Sequence, residues 1–356
     1  MSPIFFAIPV FVVLIALELA IAHRRGLRVY SLQDTLTSLN IGVVSQFVNT
    51  LGRLIGVGIY AVVSERWGAF AWDTRHPLTW LTALVLYDFC YYWFHRLSHE
   101  VNILWAAHVV HHSSEEYNLS TALRQSSTGF WSHWIFYMPL ALLGIPVKVF
   151  VIVGLVDLVY QFWVHTRLVG RLGWLEWVLV TPSNHRVHHG QNDYCIDRNY
   201  GGLLIVWDRL FGTMADERDD EPPVYGIRKP LHSWNPVWAN LHQYTSVFRQ
   251  LARIPGWRDK LGALLASPGA ARPDTAPPVV FEPLAFQRFA TPAPLWMALL
   301  GAACTVLGTG LLMYFLWSQS HWSLGERAAY AAGMVVFYLA VGALWLHPRV
   351  TGQPKG

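Results

Sequence analysis

Residues 95–112 read HRLSHEVNILWAAHVVHH and hold five histidines in two short clusters, HxxxH at 95–99 and HxxHH at 108–112. A second HxxHH cluster, HRVHH, follows at 185–189. Helix positions i, i+3 and i+4 share one face, so each cluster is expected to direct two or three imidazoles the same way. The eight histidines of these three clusters exceed what one mononuclear site can use. The spacing therefore predicts a metal site that holds two ions.

A ninth histidine lies near the end of a later apolar stretch. His165 follows Gln161 by four residues and Asp157 by eight, so the three side chains share one face of a predicted helix. An ionisable residue within an apolar span is a candidate functional residue. We therefore predict that His165 is a further ligand and that Asp157 orients its ring. The predicted metal ligands are His95, His99, His108, His111, His112, His165, His185, His188 and His189.

Polar residues close to the histidines are expected to hold the imidazole rings in place. A ligating histidine usually donates its second ring N–H to a carboxylate, a carbonyl or water. Asp88 lies seven residues before His95 on the same predicted face, and Glu100 directly follows His99. The residues predicted to act in this way are Asp88, Glu100, Asn118, Asp157, Gln161 and Asn184.

The sequence around the clusters is that of a membrane protein. Hydrophobic residues make up 53% of the chain and charged residues 13%, whereas soluble domains carry about 25% charged residues. A spanning helix needs ~20 apolar residues, and seven stretches approach or exceed that length. They run over approximately 3–22, 37–63, 78–96, 129–145, 147–165, 293–317 and 327–346. The stretches 129–145 and 147–165 meet at Pro146 and are expected to form a helical hairpin.

The predicted fold class is therefore all-α: a multi-pass transmembrane bundle of about seven spans with a cytoplasmic helical cap that carries the histidines. Positive residues follow the first stretch directly, at His23, Arg24, Arg25 and Arg28, which predicts that its C-terminal end is cytoplasmic. Alternating the spans from there places every histidine cluster on the cytoplasmic face. The same polarity predicts a retained span rather than a cleaved signal peptide.

Four regions are expected along the chain. Membrane spans occupy 1–77, a catalytic unit with the histidines occupies 78–235, a cytoplasmic segment with a Pro-rich linker occupies 236–292, and two further spans occupy 293–356. Lysine and arginine form no long run, so nucleic acid is not an expected partner.

The three clusters at these spacings resemble the signature of the fatty acid hydroxylase/sterol desaturase superfamily of membrane di-iron oxygenases. Residues 95–126 and 181–213 are more closely similar to its ether-lipid branch and to bacterial sterol desaturase-like members. The resemblance covers roughly 78–235. It implies that the eight clustered histidines are iron ligands and that His165 falls where a further ligand is common. Ether-lipid relatives often carry another histidine where Asn184 stands here.

The resemblance further implies two irons per chain, O₂, a lipid substrate and an electron donor, which in the ether-lipid branch is a reduced pterin. Hydroxylation and desaturation of a sterol or acyl chain remain alternatives within the superfamily. We expect a hydrophobic tunnel with Tyr87, Phe89, Trp93 and Phe94 on one wall and Phe162 and Trp163 on the other.

Other classes of protein explain the histidines less well. Transport sites tend to lie near the bilayer midplane, whereas these clusters are predicted at one face. A b-type haem carrier needs two facing histidines per haem, and catalytic zinc takes about three protein ligands. The alternative function from a different class of protein is a histidine-rich membrane metal transporter.

Overall fold

The computed structural model describes residues 3–270 and 281–345, and over those ranges the chain is helical without a β-strand. The predicted all-α class is confirmed for these residues. Parts of the predicted linker, 271–280, and the chain after 345 lie outside the described residues. The α-helices are α1 (Pro3–Arg24), α2 (Leu32–Trp67), α3 (Pro77–Glu100), α4 (Asn102–His112), α5 (Leu119–Ala122), α6 (Met138–Leu142), α7 (Val147–Trp163), α8 (Pro182–His188), α9 (Val206–Phe211), α10 (Pro236–Arg253), α11 (Trp257–Leu265), α12 (Leu295–Ser318) and α13 (Leu324–Leu344).

Four of the described helices are long and apolar enough to cross a membrane. They are α1, α2, α12 with the turn that follows it, and α13. Helix α2 has 36 residues and is about 54 Å long at 1.5 Å per residue, which exceeds a hydrocarbon core of about 30 Å. Ser31 begins α2 by accepting the backbone N–H of Asp34 at 3.4 Å.

Three of the seven predicted spans are not among these four helices. Residues 129–145 form two 3₁₀ turns, Gly129–Trp131 and His133–Tyr137, and the five-residue α6 instead of one helix. Proline cannot donate a backbone hydrogen bond inside a helix, so Pro139 lies in the first turn of α6 and does not continue an earlier helix. The predicted hairpin of two spans is therefore not formed. The stretches 78–96 and 147–165 are the continuous helices α3 and α7, which fall outside the four candidates.

The candidate spans meet near their ends. Leu36 at the start of α2, Met297 at the start of α12 and Trp345 after α13 share one buried cluster. Further along, Phe47 of α2 packs against Phe315 of α12, with ring centroids 5.1 Å apart. The N-terminal end of α12 and the C-terminal end of α13 therefore lie beside the N-terminal end of α2.

Helices α3, α4, α7 and α8 surround the histidines. Helix α4 packs against α3 on one side and α10 on another, and α3 also packs along α7. The segment before α8 is tied to the segment before α9 by an antiparallel bridge between Leu179 and Leu204. The N-terminal end of α2 closes this group, because buried Asp34 pairs with buried Arg124 at 3.2 Å.

Gly42 sets how closely α2 approaches the chain after α5. A Cβ at Gly42 would lie 2.4 Å from the backbone carbonyl oxygen of Leu123, too close for any side chain. Leu123 directly precedes Arg124, so this contact also fixes the position of Arg124, the ion-pair partner of Asp34.

We predict that Gly42→Ala lowers the free energy of unfolding by about 1–3 kcal/mol, the usual cost of overpacking. Gly58→Ala on the same helix is the matched control, since a Cβ there meets nothing within 4 Å. It should leave stability unchanged or raise it, because alanine favours helix over glycine. Thermal unfolding of the two purified variants in detergent measures the difference, and equal midpoints would contradict this account of Gly42.

Candidate metal centre

The structure brings all nine predicted histidines into one buried centre between α3, α4, α8 and the turn after α7. Their ring nitrogens fall into two sets, and in each set the possible ligand atoms lie within 4.8 Å of one another. The five-histidine group is His95, His99, His108, His112 and His188, and the four-histidine group is His111, His165, His185 and His189. The two groups are neighbours, because the rings of His112 and His189 stack with centroids 4.3 Å apart.

Each HxxHH motif contributes to both groups. In α4, His108 and His112 belong to the five-histidine group and His111 belongs to the other. In α8 and its cap, His188 joins the five-histidine group while His185 and His189 join the four-histidine group. The prediction that each cluster directs its imidazoles one way is thus correct only for the i, i+4 pairs. The middle histidine of each motif turns toward the other group.

Hydrogen bonds to backbone carbonyls fix the protonation of several rings. Nδ1 of His111 lies 3.1 Å from the carbonyl oxygen of Arg124, and Nδ1 of His165 lies 2.7 Å from that of Gln161. A carbonyl oxygen only accepts, so both rings donate from Nδ1 and carry a lone pair on Nε2. These two Nε2 atoms are 3.3 Å apart. Facing lone pairs repel unless a cation lies between them.

The spacing of the nitrogens fits a shared metal ion. Two ligands at about 2.0–2.1 Å from one ion lie roughly 2.8–3.4 Å apart in octahedral or tetrahedral geometry. The Nε2 atoms of His95 and His108 are separated by 3.1 Å, and those of His165 and His185 also by 3.1 Å. The residues present therefore fit an ion in each group.

Other ring nitrogens are buried without a hydrogen-bond partner among the described residues. Buried polar groups are nearly always paired, so a set of unpaired ones in a single place indicates a missing ligand. The atoms that fit this description are Nε2 of His99, His188 and His189. Nδ1 of His185 is also unpaired, but the Nε2 of that ring is the atom that faces His165.

Burial also keeps the imidazoles neutral. It lowers the pKa of His111 to about 4, and it holds the pKa of His185, His188 and His189 well below the usual value, with the neighbouring histidines adding to the effect. A buried cation is disfavoured in a low-dielectric interior. Neutral imidazole is the form that binds a metal, so the centre is ready to accept ions near neutral pH.

The loop 197–200 supplies two more of the carbonyls that orient the rings. The carbonyl oxygens of Tyr200 and Arg198 lie 2.8 Å from Nδ1 of His95 and 2.9 Å from Nδ1 of His188. Asp197 and Asn199 alternate with these residues and have φ of 56° and 57°, a left-handed conformation that Asp and Asn tolerate better than most residues. The turn therefore presents alternate carbonyls to the metal centre.

Asp208 holds this loop in place and was not predicted to matter for the site. Its fully buried carboxylate accepts the backbone N–H groups of Tyr200 and Gly201, each at 2.7 Å. Thr213 donates its hydroxyl to the same carboxylate at 2.6 Å. In the sequence, the one indication of this role was an acidic residue in the mainly apolar α9. Its position alone does not show which groups the carboxylate contacts.

Within the described part of the chain, none of the predicted orienting side chains forms a hydrogen bond with a histidine nitrogen. Asp88 was expected to hold a ring, but its oxygens accept the backbone N–H groups of Leu203 and Leu204 at 2.7 and 3.0 Å and the indole of Trp207 at 2.8 Å. Asp88 therefore supports the 203–207 segment that follows Tyr200 and not an imidazole.

The other predicted side chains also contact different groups. Glu100 accepts Arg96 at 3.0 Å and the hydroxyl of Tyr200 at 3.3 Å. Asn118 caps α5, accepting the N–H of Ser120 at 3.0 Å. Asn184 likewise accepts the N–H of Thr181 at the start of α8, at 3.0 Å.

Gln161 reaches His165 through its backbone carbonyl and not through its side chain. The side-chain amide of Gln161 instead links Asp157, at 2.6 Å, to the hydroxyl of Tyr91, at 2.8 Å. Asp157 was expected to orient His165 and instead accepts a hydrogen bond from the side chain of Gln161. The ring of His165 is thus held by the backbone and not by the side chain of Asp157 or Gln161. The last carbonyls of a helix have no partner within it, and here they lie beside the ligand.

The predicted aromatic tunnel between α3 and α7 is not formed. Gly154 of α7 lets Tyr87 approach so closely that a Cβ would lie 2.8 Å from its hydroxyl. The ring of Phe89 packs on Trp207 with centroids 5.0 Å apart, and Phe162 stacks on Phe11 at 4.2 Å. The aromatic side chains that were expected to line the tunnel therefore pack against the facing helix or contact other residues.

Comparison with known proteins agrees with this geometry. The family model for fatty acid hydroxylase matches residues 80–213. Alkylglycerol monooxygenase of Homo sapiens is 45% identical over 266 residues, which cover 74% of this chain and 59% of that protein. The alkylglycerol monooxygenase of Caenorhabditis elegans is 32% identical over 340 residues, covering 89% of this chain and 67% of that protein.

The chain therefore belongs to the fatty acid hydroxylase family. A more distant relative is an ornithine lipid hydroxylase of Rhizobium tropici, 32% identical over 145 residues that cover 40% of this chain and 44% of that protein. This chain spans about three fifths of the length of the vertebrate alkylglycerol monooxygenases that it matches. No solved structure matches it.

We predict that Asp208→Asn weakens metal binding by roughly 10–100-fold, the usual effect of removing a group that supports a ligand. The asparagine amide would face one of the two backbone N–H groups, so the carbonyl of Tyr200 would no longer be held against His95. Asp219→Asn is the matched control, because this side chain is 89% exposed. Competition with a chelator gives both affinities, and an unchanged affinity in Asp208→Asn would exclude this role.

Proposed function

We propose that this protein is a membrane-bound, O₂-dependent lipid oxidoreductase whose nine histidines hold two iron ions. The observation that carries the proposal is the pair of Nε2 lone pairs of His111 and His165, which face each other at 3.3 Å. The family to which the chain belongs supports lipid oxidation as the reaction. Imidazole without thiolate is a suitable donor set for iron.

The five-histidine group would hold one ion and the four-histidine group the other. Two irons there would supply the activation of O₂ that side chains alone cannot provide. The chain's own contribution is to keep the imidazoles neutral, to fix their tautomers through backbone carbonyls and to exclude water from the centre. His108 is only partly buried, so we place the approach of O₂ and substrate on the side of α4.

We propose an ether lipid as the substrate, because alkylglycerol monooxygenases are among the relatives. Replacing one hydrogen on the carbon beside the ether oxygen by hydroxyl consumes O₂, two electrons and two protons and releases water. The resulting hemiacetal breaks into an aldehyde and an alcohol. A reduced pterin is the proposed electron donor. Formation of an alkene in place of the aldehyde would favour the desaturase alternative.

The exposed side of α7 supports a substrate that arrives from the bilayer. Val156 and Val159 are 47% and 46% exposed, and both lie within three helical turns of His165. Apolar side chains on the outside of a helix are suited to contact acyl or alkyl chains. A lipid chain alongside α7 would therefore reach the centre from the membrane and not from water.

We propose that the metal centre lies at the cytoplasmic face of an integral membrane protein. Arg24, Arg25 and Arg28 follow α1, and an excess of positive residues marks the cytoplasmic side. The start of α2 lies beside the centre through the Asp34 and Arg124 pair. We also propose the division of the chain into membrane regions at 1–77 and 293–356, a catalytic unit at 78–235 and a connecting segment at 236–292.

We predict that the purified protein carries about two irons per chain and that His111→Ala loses the ion of its group, because two facing ligands become one. Oxidation of an alkylglycerol with O₂ and a reduced pterin should fall at least about 100-fold, since ligand loss removes the metal chemistry. His23→Ala is the control, because His23 is exposed at the end of α1. Iron analysis and aldehyde formation are the measurements. Full iron and full activity in His111→Ala would refute the proposal, and zinc alone in the wild type would too.

The proposed orientation predicts opposite labelling of two engineered thiols. Asp219→Cys lies near α8 and is exposed, so a membrane-impermeant maleimide should label it in inverted vesicles and not in intact cells. Phe70→Cys follows α2, is 61% exposed in the native chain and should show the reverse. The wild-type chain, whose Cys90 and Cys195 are buried, measures the background. Labelling of Asp219→Cys from outside intact cells would reverse the orientation.

A further inference from the structure

A single buried carboxylate links the first membrane helix to the metal centre. Few residues of helix α1 are buried in the described structure. Ile15, Glu18 and Ala22 are the buried ones, and they share one face at spacings of three and four residues. Glu18 is 4% exposed. An ionisable residue within a span is costly and usually functional, so its partners indicate what it does.

Glu18 accepts hydrogen bonds from three groups on two segments of the metal centre and on the α1–α2 loop. The backbone N–H of Leu119 donates to it at 2.8 Å. The hydroxyls of Thr166 and Tyr30 also donate to its two oxygens. Three donors satisfy the carboxylate, which lowers the cost of burying it.

Two of these partners, Thr166 and Leu119, belong to segments that carry or orient ligands of the four-histidine group. Thr166 directly follows His165. Leu119 begins α5, and the carbonyl of Arg124, just after α5, holds Nδ1 of His111 at 3.1 Å. Both histidines whose lone pairs face each other are therefore attached to segments that Glu18 joins.

Arg186 holds the same segment from the other side. Its guanidinium donates to the carbonyl of Thr166 at 3.0 Å, and its neighbours in sequence are His185 and Val187. Thr166 is thus fixed by α1 through its hydroxyl and by α8 through its carbonyl. The contacts of the five-histidine group described above involve α3, α4, α8 and the 197–200 loop, and none of them involves α1.

We propose that Glu18 is a positioning residue for the four-histidine ion: from within the first membrane span it holds Thr166 and the start of α5, and so fixes His165 and His111. The inference rests on the proposed function, since it requires an ion in each group. It assigns α1 a role in the metal centre as well as in the membrane. Losing Glu18 removes the ion of one group and leaves the other.

The test is metal content per folded chain in full-length protein purified in detergent. The wild type should hold about two irons, and Glu18→Ala and Thr166→Val should each hold about one, because losing a supporting group weakens a site roughly 10–100-fold. Glu18→Gln should keep about two, since its amide oxygen still accepts the N–H of Leu119. A lone high-spin ferric ion in the two depleted variants should give an electron paramagnetic resonance signal that a coupled pair lacks.

Ile15→Ala is the control for a merely structural effect. Ile15 lies one turn before Glu18 on the same covered face and packs with Leu119 and Phe162. Its loss should lower the unfolding temperature of the protein but leave the metal content at the wild-type value. Thr166→Val tests the same link if Glu18→Ala does not fold.

Each outcome decides the inference. Two irons in both Glu18→Ala and Thr166→Val, with only a lower unfolding temperature, would show that Glu18 is an anchor and nothing more. Loss of both irons in these variants, or loss of one iron in Ile15→Ala, would also overturn it. A wild type without bound iron would refute the proposed function, which distinguishes the two failures.

Discussion

The confinement of nine neutral imidazoles in one buried volume is the constraint on which the rest of this structure depends. Rings that carry lone pairs on facing nitrogens repel, and burial denies them both water and a proton. The chain resolves this only if cations occupy the spaces between the rings. Helix ends, the 197–200 turn and the start of α2 all supply groups that hold the rings in this otherwise unfavourable arrangement.

The histidine set could be found from the sequence because helical spacing determines it. HxxxH and HxxHH place side chains within one turn, so their grouping follows from α-helix geometry. His165 was found for a related reason, since a polar residue in an apolar helix is rarely accidental. The division of each HxxHH motif between two groups depends on how α4 and α8 cross, and spacing along one helix contains no information on that.

The orienting groups could not be found in the same way. Side chains near a ligand in sequence, such as Asp88, Glu100 and Asn184, were the natural candidates, yet the rings are held mainly by backbone carbonyls. Every residue has a carbonyl, so the sequence cannot mark the ones that are used. The predicted span at 129–145 failed for a different reason, because overall apolarity concealed the break at Pro139. Glu18 was overlooked because its partners, Leu119 and Thr166, are more than 100 residues away.

Because α4 and α8 each contribute histidines to both groups, the order of synthesis determines when the metal centre can be completed. The five-histidine group needs His188, and the four-histidine group needs His185 and His189, so neither is whole until the chain has been made through position 188 and both are whole only at 189. Until then, the five histidines within 95–112 and His165 are an incomplete set. A cell that makes this protein must therefore keep a partly built, metal-attracting chain away from the wrong ions while synthesis and membrane insertion continue.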